Sequence, residues 1–350
     1  MWRGVIDEYR ERLPIEEGVQ AVTLGEGNTP LVEAPRVADQ IGFGGRLLLK
    51  YEGLNPTASF KDRGMTVAIS VAAANGSEAV ICASTGNTSA SSAAYAARAG
   101  LKAIVIIPEG KIALGKLSQA LAHGATVVSI DGNFDQAMKV VTELTHRCNV
   151  VVVNSINPYR IQGQKTAAFE VCDVLGMAPD YHFLPVGNAG NITAYWMGYS
   201  EYADAGVVTS RPRMMGFQAA GADPIVRGRV VENPETVATA IRIGNPASWK
   251  TAEAARDQSG GIIESVTDDE ILAAYSMLAS NEGVFVEPAS AASLAGLRKV
   301  CDAGGIEDTA TVVCTLTGHG LKDPATATRE SPEPISARAD AAEIIRLLKL

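Results

Sequence analysis

The chain has 350 residues, of which 47% are hydrophobic and 20% charged, as suits a soluble globular protein of one large or two moderate domains. Its net charge of −9 and pI of about 5.1, without a basic patch or lysine run, argue against a nucleic-acid or acidic-membrane partner. The five scattered cysteines (Cys82, Cys148, Cys172, Cys301, Cys314) contain no CxxC and read as reduced core residues of a cytosolic protein.

Taken in order, residues 2–13 predict an amphipathic helix closed by Pro14. They are charged throughout and lack a signal-peptide core, and no later apolar run reaches transmembrane length. Gly25–Leu31 predicts a loop into the body. From Arg46 onward apolar runs and helical patterns alternate. Strands are predicted at 46–51, 79–83, 102–107, 125–130, 149–153, 181–185, 213–217 and 310–316, with helices such as Lys61–Ala74, Ala90–Ala99, Phe134–Arg147 and Asp268–Ser280 between them. This alternation predicts an α/β fold with a parallel sheet covered by helices on both faces. The stretch 323–338 predicts the least ordered segment, before a last short helix.

Ligands of open α/β sheets bind beyond the carboxyl ends of the strands. Three strand exits carry small polar loops: Ser84–Ser89, Gly187–Asn191 and Thr317–Gly320. Glycines let backbone N–H groups approach a phosphate, and a following helix N-terminus favours the anion; a plain tight turn fits Gly187–Asn191 equally well. Ser84–Ser89 also reads as an ordinary helix-capping cluster, and Thr317 as a turn cap. Arg160 has a fork suited to phosphate, or it pairs on the surface with Glu170 or Asp173. Gly110–Lys116 follows a strand as a Walker A loop would, but Leu117 stands where the magnesium-binding hydroxyl belongs. The four histidines lack metal spacing, so no metal is expected.

The most informative stretch is Asn55–Gly64, which leaves the apolar strand 46–51. Asn-Pro breaks the strand, Ser59 is a plausible N-cap, and Lys61 opens the next helix. The helix dipole disfavours a cation there, which lowers the pKa of the amine and makes it a candidate nucleophile. Alone, Lys61 reads more readily as a solvated surface lysine beginning a helix.

Ser59-Phe60-Lys61-Asp62-Arg63-Gly64 resembles the lysine motif of the pyridoxal-phosphate enzymes of the tryptophan-synthase-β kind, fold type II, and within that group the threonine synthases. Gly25–Leu31 is similar to their G-x-T-P-L segment, and the resemblance covers nearly the whole chain. It departs at Ala58, where threonine synthases usually carry Gly; at positive φ an alanine there is strained.

The resemblance implies two domains, 1–52 with 152–350 and a smaller 53–151, with the active site between them. It implies that Lys61 carries pyridoxal 5'-phosphate covalently, that Gly187, Asn188, Ala189, Gly190 and Asn191 cup the cofactor phosphate, that Asn87 meets the ring hydroxyl and that Thr317 meets the ring nitrogen. Ser84, Thr85 and Thr88 are then expected to hold substrate oxygens, and Ser155 and Arg160 the substrate phosphate. The activity implied is conversion of O-phospho-L-homoserine and water to L-threonine and phosphate, by γ-elimination and β-addition of water, in a cytoplasmic homodimer. A threonine or serine dehydratase would share Lys61 and the cup but need no second phosphate site. A nucleotide-binding switch built on 110–117 is the alternative from another class.

Overall fold

The computed structural model describes residues 1–109, 114–132 and 134–349. Its N-terminal part runs α1 (Val5–Tyr9), β1 (Leu31–Glu33), α2 (Pro35–Gln40), β2 (Arg46–Tyr51) and α3 (Lys61–Ala74). Then come β3 (Ala79–Ala83), α4 (Asn87–Ala99), β4 (Lys102–Pro108), α5 (Leu114–Ala122), β5 (Thr126–Ile130), α6 (Phe134–Arg147) and β6 (Val150–Val152). The rest is α7 (Pro158–Gln164), α8 (Thr166–Leu175), β7 (Tyr181–Pro185), α9 (Gly190–Asp204), β8 (Arg213–Ala219), α10 (Pro224–Arg227), α11 (Trp249–Ser259), β9 (Ile262–Val266), α12 (Asp268–Glu282), α13 (Pro288–Asp302), β10 (Thr311–Leu316), α14 (Pro324–Glu330) and α15 (Ala341–Leu348).

The strands form two sheets, ordered β1-β2-β10-β7-β8-β9 and β5-β4-β3-β6. Every pairing is parallel except β1 on β2, as expected for strands joined by helical crossovers. β3 and β7 are buried along their whole length, and separate apolar clusters cover the two faces of each sheet. That is why β3 reads as an unbroken apolar run and β7 as one interrupted only by His182.

The helix expected over 2–13 is shorter. Gly4 has φ +99, outside the helical region, so α1 starts at Val5 and ends in a 3-10 turn over Arg10–Arg12. The last part of the segment expected to be least ordered, 331–340, carries no regular structure and is exposed, but its first part forms α14. The cysteines are all free, yet only Cys82, Cys172 and Cys314 are core residues; Cys148 is exposed and Cys301 half-buried. The Walker-like loop at 110–113 lies outside the described residues.

Two features position the site. β2, β10 and β7 are neighbours and parallel, so the loops leaving their carboxyl ends share one edge. β6 and β3 are likewise parallel neighbours, and they deliver Ser84–Ser89 and Asn154–Arg160 to one edge of the smaller sheet. Helices α3 and α7 then cross at glycines. A Cβ on Gly64 would lie 2.5 Å from the Arg160 carbonyl oxygen, and one on Gly163 would lie 2.0 Å from that of Arg63. This backbone-to-backbone approach sets Arg160 beside the first turn of α3.

Candidate active site

Lys61 is the first residue of α3 and is half-buried. Its Nζ lies 4.2 Å from the Phe60 ring centroid, a contact that attracts a cation to the ring face. Burial pushes its pKa down to about 7; the nearby Arg160 charge pushes the same way, and Glu287 opposes it. A large share of the amine is therefore neutral at neutral pH, as a nucleophile or base requires.

The loop before Lys61 is built more tightly than a cap. The N-cap is Phe60, not Ser59, and no side chain caps it; Ser59 Oγ accepts only a long 3.4 Å bond from the Lys61 N–H. The ordering group is Asp62, fully buried. Its carboxylate accepts from the Thr57 N–H and hydroxyl, both at 2.6 Å, and from the Ser91 hydroxyl at 2.5 Å. Burial nonetheless raises its pKa to about 6. Ala58 has φ +66, the region where glycine is favoured, so the chain holds an alanine in a conformation that costs about 1 kcal/mol.

Thr317 follows β10 and sits directly against the lysine loop. Its carbonyl accepts from the Phe60 N–H at 3.0 Å, and Ala58 O accepts from the His319 N–H at 3.0 Å. Its hydroxyl is 3.0 Å from that of Ser290 and donates a long 3.5 Å bond to Glu287. Across the cleft, Asn87 Nδ2 donates to both carboxylate oxygens of Glu287, at 3.1 and 3.2 Å. Glu287, buried before Pro288 of α13, thus links Asn87 and Thr317 and bears on Lys61 electrostatically. Sequence reasoning passed over Glu287 and Ser290. The available signal was one carboxylate inside the otherwise uncharged run Gly283–Gly296.

Gly187–Asn191 joins β7 to α9. A Cβ on Gly187 would lie 2.8 Å from Ile241 Cα, and Ala189 is at φ +64 at the N-cap of α9. Asn188 Oδ1 accepts from the Ala247 N–H at 2.6 Å, whereas the buried Asn191 Nδ2 has no partner. A close-set turn at a helix N-terminus, with an orphan donor, suits a phosphate.

In the smaller sheet, Ser84, Thr85 and Asn87 are half-buried and Thr88 is buried at the start of α4. Asn154 ties the two loops of that edge together: its amide bonds Ala83 N and Ala83 O, both at 2.9 Å. Ser155 follows, half-buried. Arg160 is fully buried, not at the surface. Its Nη1 donates to Val153 O at 2.5 Å, while Nε and Nη2 have no partner. Burial lowers its pKa to about 10, still charged at neutral pH. Glu170 and Asp173 are engaged elsewhere, Glu170 with Arg63 and Lys50 and Asp173 with Tyr9 and Tyr202. A buried guanidinium with two unpaired nitrogens is a strong anion site.

Beneath the lysine lies a buried ionic cluster with no counterpart in the sequence reading. Arg63 makes two-pronged contacts to both Glu52 and Glu170, at 2.6 to 2.8 Å. Lys50 donates to Glu170 at 2.7 Å and to Thr29 O. Two cations offset two carboxylates, and the pairing holds Glu170 down at about 2. For Lys50, burial outweighs the pairing and lowers its pKa. The cluster fixes the first turn of α3, through Arg63, on elements of the larger sheet.

Residues 22–318 match the family model described as pyridoxal-phosphate-dependent enzyme. The chain is 60% identical over 336 residues to a threonine synthase of Synechocystis sp., covering 96% of this chain and 87% of that protein. It is 57% identical to a threonine synthase of Mycobacterium leprae, covering 100% and 97%. Among solved structures it is similar to the processed form of threonine deaminase isoform 2 from Solanum lycopersicum, with TM-score 0.73 and 22% identity over 87% of each chain. At that identity the likeness is one of fold.

Proposed function

Because the chain belongs to the pyridoxal-phosphate-dependent enzymes and, among them, to the threonine synthases, we propose that it converts O-phospho-L-homoserine and water to L-threonine and phosphate. Bound pyridoxal phosphate supplies the electron sink for chemistry at the α and β carbons of an amino acid. Gly187, Asn188, Ala189, Gly190 and Asn191 hold its phosphate, Asn87 its ring hydroxyl and Thr317 its ring nitrogen. Lys61 carries it, and as a free amine takes and returns protons at the substrate's α and β carbons. Ser84, Thr85 and Thr88 hold the substrate carboxylate near the N-terminus of α4. Ser155 and Arg160 hold the substrate phosphate.

The observation that carries this reading is Arg160, buried and charged with Nε and Nη2 unpartnered. It supplies a second anion site apart from the Gly187–Asn191 turn, which a dehydratase acting on an uncharged hydroxyl does not need. The test is to supply O-phospho-L-homoserine to the cofactor-loaded protein and measure phosphate and threonine. Equal yields of both are expected. Conversion of threonine to a 2-oxo acid and ammonia, with no phosphate released from the phosphorylated substrate, would overturn it.

The same proposal divides the chain into 1–52 with 152–350 and 53–151; the two sheets support it, with β6 of the smaller sheet ending one residue beyond that boundary, at Val152. It also includes a cytoplasmic homodimer. Support for the dimer is the apolar surface that α15 leaves exposed at Ile345 and Leu348; a monomeric mass in solution would remove it. No helix among the described residues is long and apolar enough to cross a membrane.

A further inference from the structure

We infer that Lys322 is a positioning residue for this reaction: by bonding Gln119 across the cleft it holds α5, and with it α4 and the Ser84–Thr88 loop, against the Thr317 and Lys61 loops. Lys322 ends a 3-10 turn, Gly320–Lys322, that follows Thr317 almost directly. That turn is fixed at its start. His319 Nδ1 accepts from the Leu321 N–H at 3.1 Å, and the His319 ring stacks on Tyr51 and meets Phe285 edge-on. The His319 N–H also bonds Ala58 O in the lysine loop. From this anchored turn Lys322 Nζ reaches Gln119 Oε1 at 2.6 Å.

Gln119 lies on α5, which packs on α4, the helix that begins at Asn87. The bond therefore spans from the edge of the larger sheet to the helix layer of the smaller one. It runs in parallel with the Asn87–Glu287 contact, which joins the first residue of α4 to the residue before α13. A surface lysine would leave its ammonium in water, but Lys322 is half-buried and burial lowers its pKa, with Glu287 and Asp62 favouring the charged form. Its direct partner is a neutral amide. Such a bond is strong enough to set a position and weak enough to break when the cleft opens, which a buried carboxylate partner would hinder.

The kinetic arm of the test rests on the proposed substrate; the exchange arm does not. In the cofactor-loaded protein, Lys322→Met and Gln119→Leu are each expected to raise KM for O-phospho-L-homoserine about tenfold, with kcat within about twofold. The double variant should show the same tenfold rise, because the second change removes nothing further. Gln119→Glu keeps an acceptor and should keep KM near that of the parent protein, while its ion pair with Lys322 hinders opening and lowers kcat. Without substrate, amide hydrogen exchange over Leu117–Ala122 should quicken equally in both single variants and in the double. Coupled exchange in a protein that does not turn over O-phospho-L-homoserine would refute the substrate and leave the bridge standing. The inference is overturned by multiplying effects in the double variant, by Gln119→Glu behaving as Gln119→Leu, or by exchange that moves while KM does not. Unchanged exchange and KM in both single variants would overturn it as well.

Discussion

Replacing Arg160 with Leu removes one guanidinium from a fully buried position. Two consequences can be separated. The Val153 carbonyl loses its 2.5 Å partner, and an unpaired buried acceptor costs about 1–3 kcal/mol of stability. This affects the fold alike for every substrate, and thermal unfolding measures it. Nε and Nη2 have no protein partner to lose, so their removal registers only when an anion is bound. A charge-assisted bidentate contact contributes about 1.5–3 kcal/mol, or roughly ten- to 150-fold in kcat/KM. The assay is phosphate release from O-phospho-L-homoserine beside slow deamination of L-serine or L-threonine, with parent and variant protein. The variant should keep its bound cofactor, lose activity on the phosphorylated substrate by that factor, and lose much less on the hydroxyl substrates. Arg160→Lys, which keeps the charge without the fork, should fall between. Equal losses on both kinds of substrate, or none on either, would refute the reasoning and remove Arg160 from the phosphate site.

Asn188→Asp should weaken cofactor binding while leaving the loop in shape, since an Asp oxygen can still accept from the Ala247 N–H that now bonds Asn188 Oδ1. Like charges about 6 Å apart at an effective dielectric of 20 cost roughly 3 kcal/mol; an unchanged dissociation constant for pyridoxal phosphate would show that the loop is not the cup. Arg63→Met leaves the buried Glu52 without a cation and Glu170 with Lys50 alone, and should destabilise the fold by about 3–5 kcal/mol, read by denaturant unfolding. Pairing with Arg63 helps to hold Glu170 down at about 2 against burial, so in the variant that carboxyl protonates at higher pH and the loss should shrink as pH falls through the ordinary carboxylate range; a loss independent of pH would rule out unpaired charge as its cause.

Long buried elements were legible because burial on both faces leaves one kind of sequence. Tyr181–Pro185, Lys61–Ala74 and Phe134–Arg147 begin and end where their apolar patterns do. β1 was not legible: it is three residues long and half-exposed at an antiparallel edge. β9 was missed because Glu264 interrupts it, as an edge strand permits. The loops that leave the strands were visible as small polar clusters, and so were the residues in them. What the sequence could not show was which residues pair across the cleft. Glu287 meets Asn87 from 200 positions away, and Arg63 meets Glu170 from 107; no local period carries such information. Ala58 is an intermediate case. The departure from glycine was visible, and its consequence became concrete only with φ +66.

The charges around Lys61 make one more expectation explicit. Burial supplies the largest part of its depression to about 7; Arg160 adds to it and Glu287 works against it. In the cofactor-free protein the rate of Lys61 acylation by acetic anhydride, followed with pH by peptide mapping, should therefore have its midpoint near 7. Arg160→Leu removes a positive neighbour, so the protonated amine becomes less costly and the midpoint should rise. Glu287→Gln removes a negative neighbour, and the midpoint should fall. Movement in the same direction, or in neither variant, would mean that burial alone sets the titration. Opposite movement has a consequence for the reaction. A phosphate dianion seated on Arg160 offsets the charge that holds Lys61 low, so the lysine gains proton affinity when substrate arrives. A midpoint near 7 leaves about half of the amine neutral in the cofactor-free protein, when it is to take up the cofactor, and the proposed substrate would make it more basic afterwards, when the α proton must be taken.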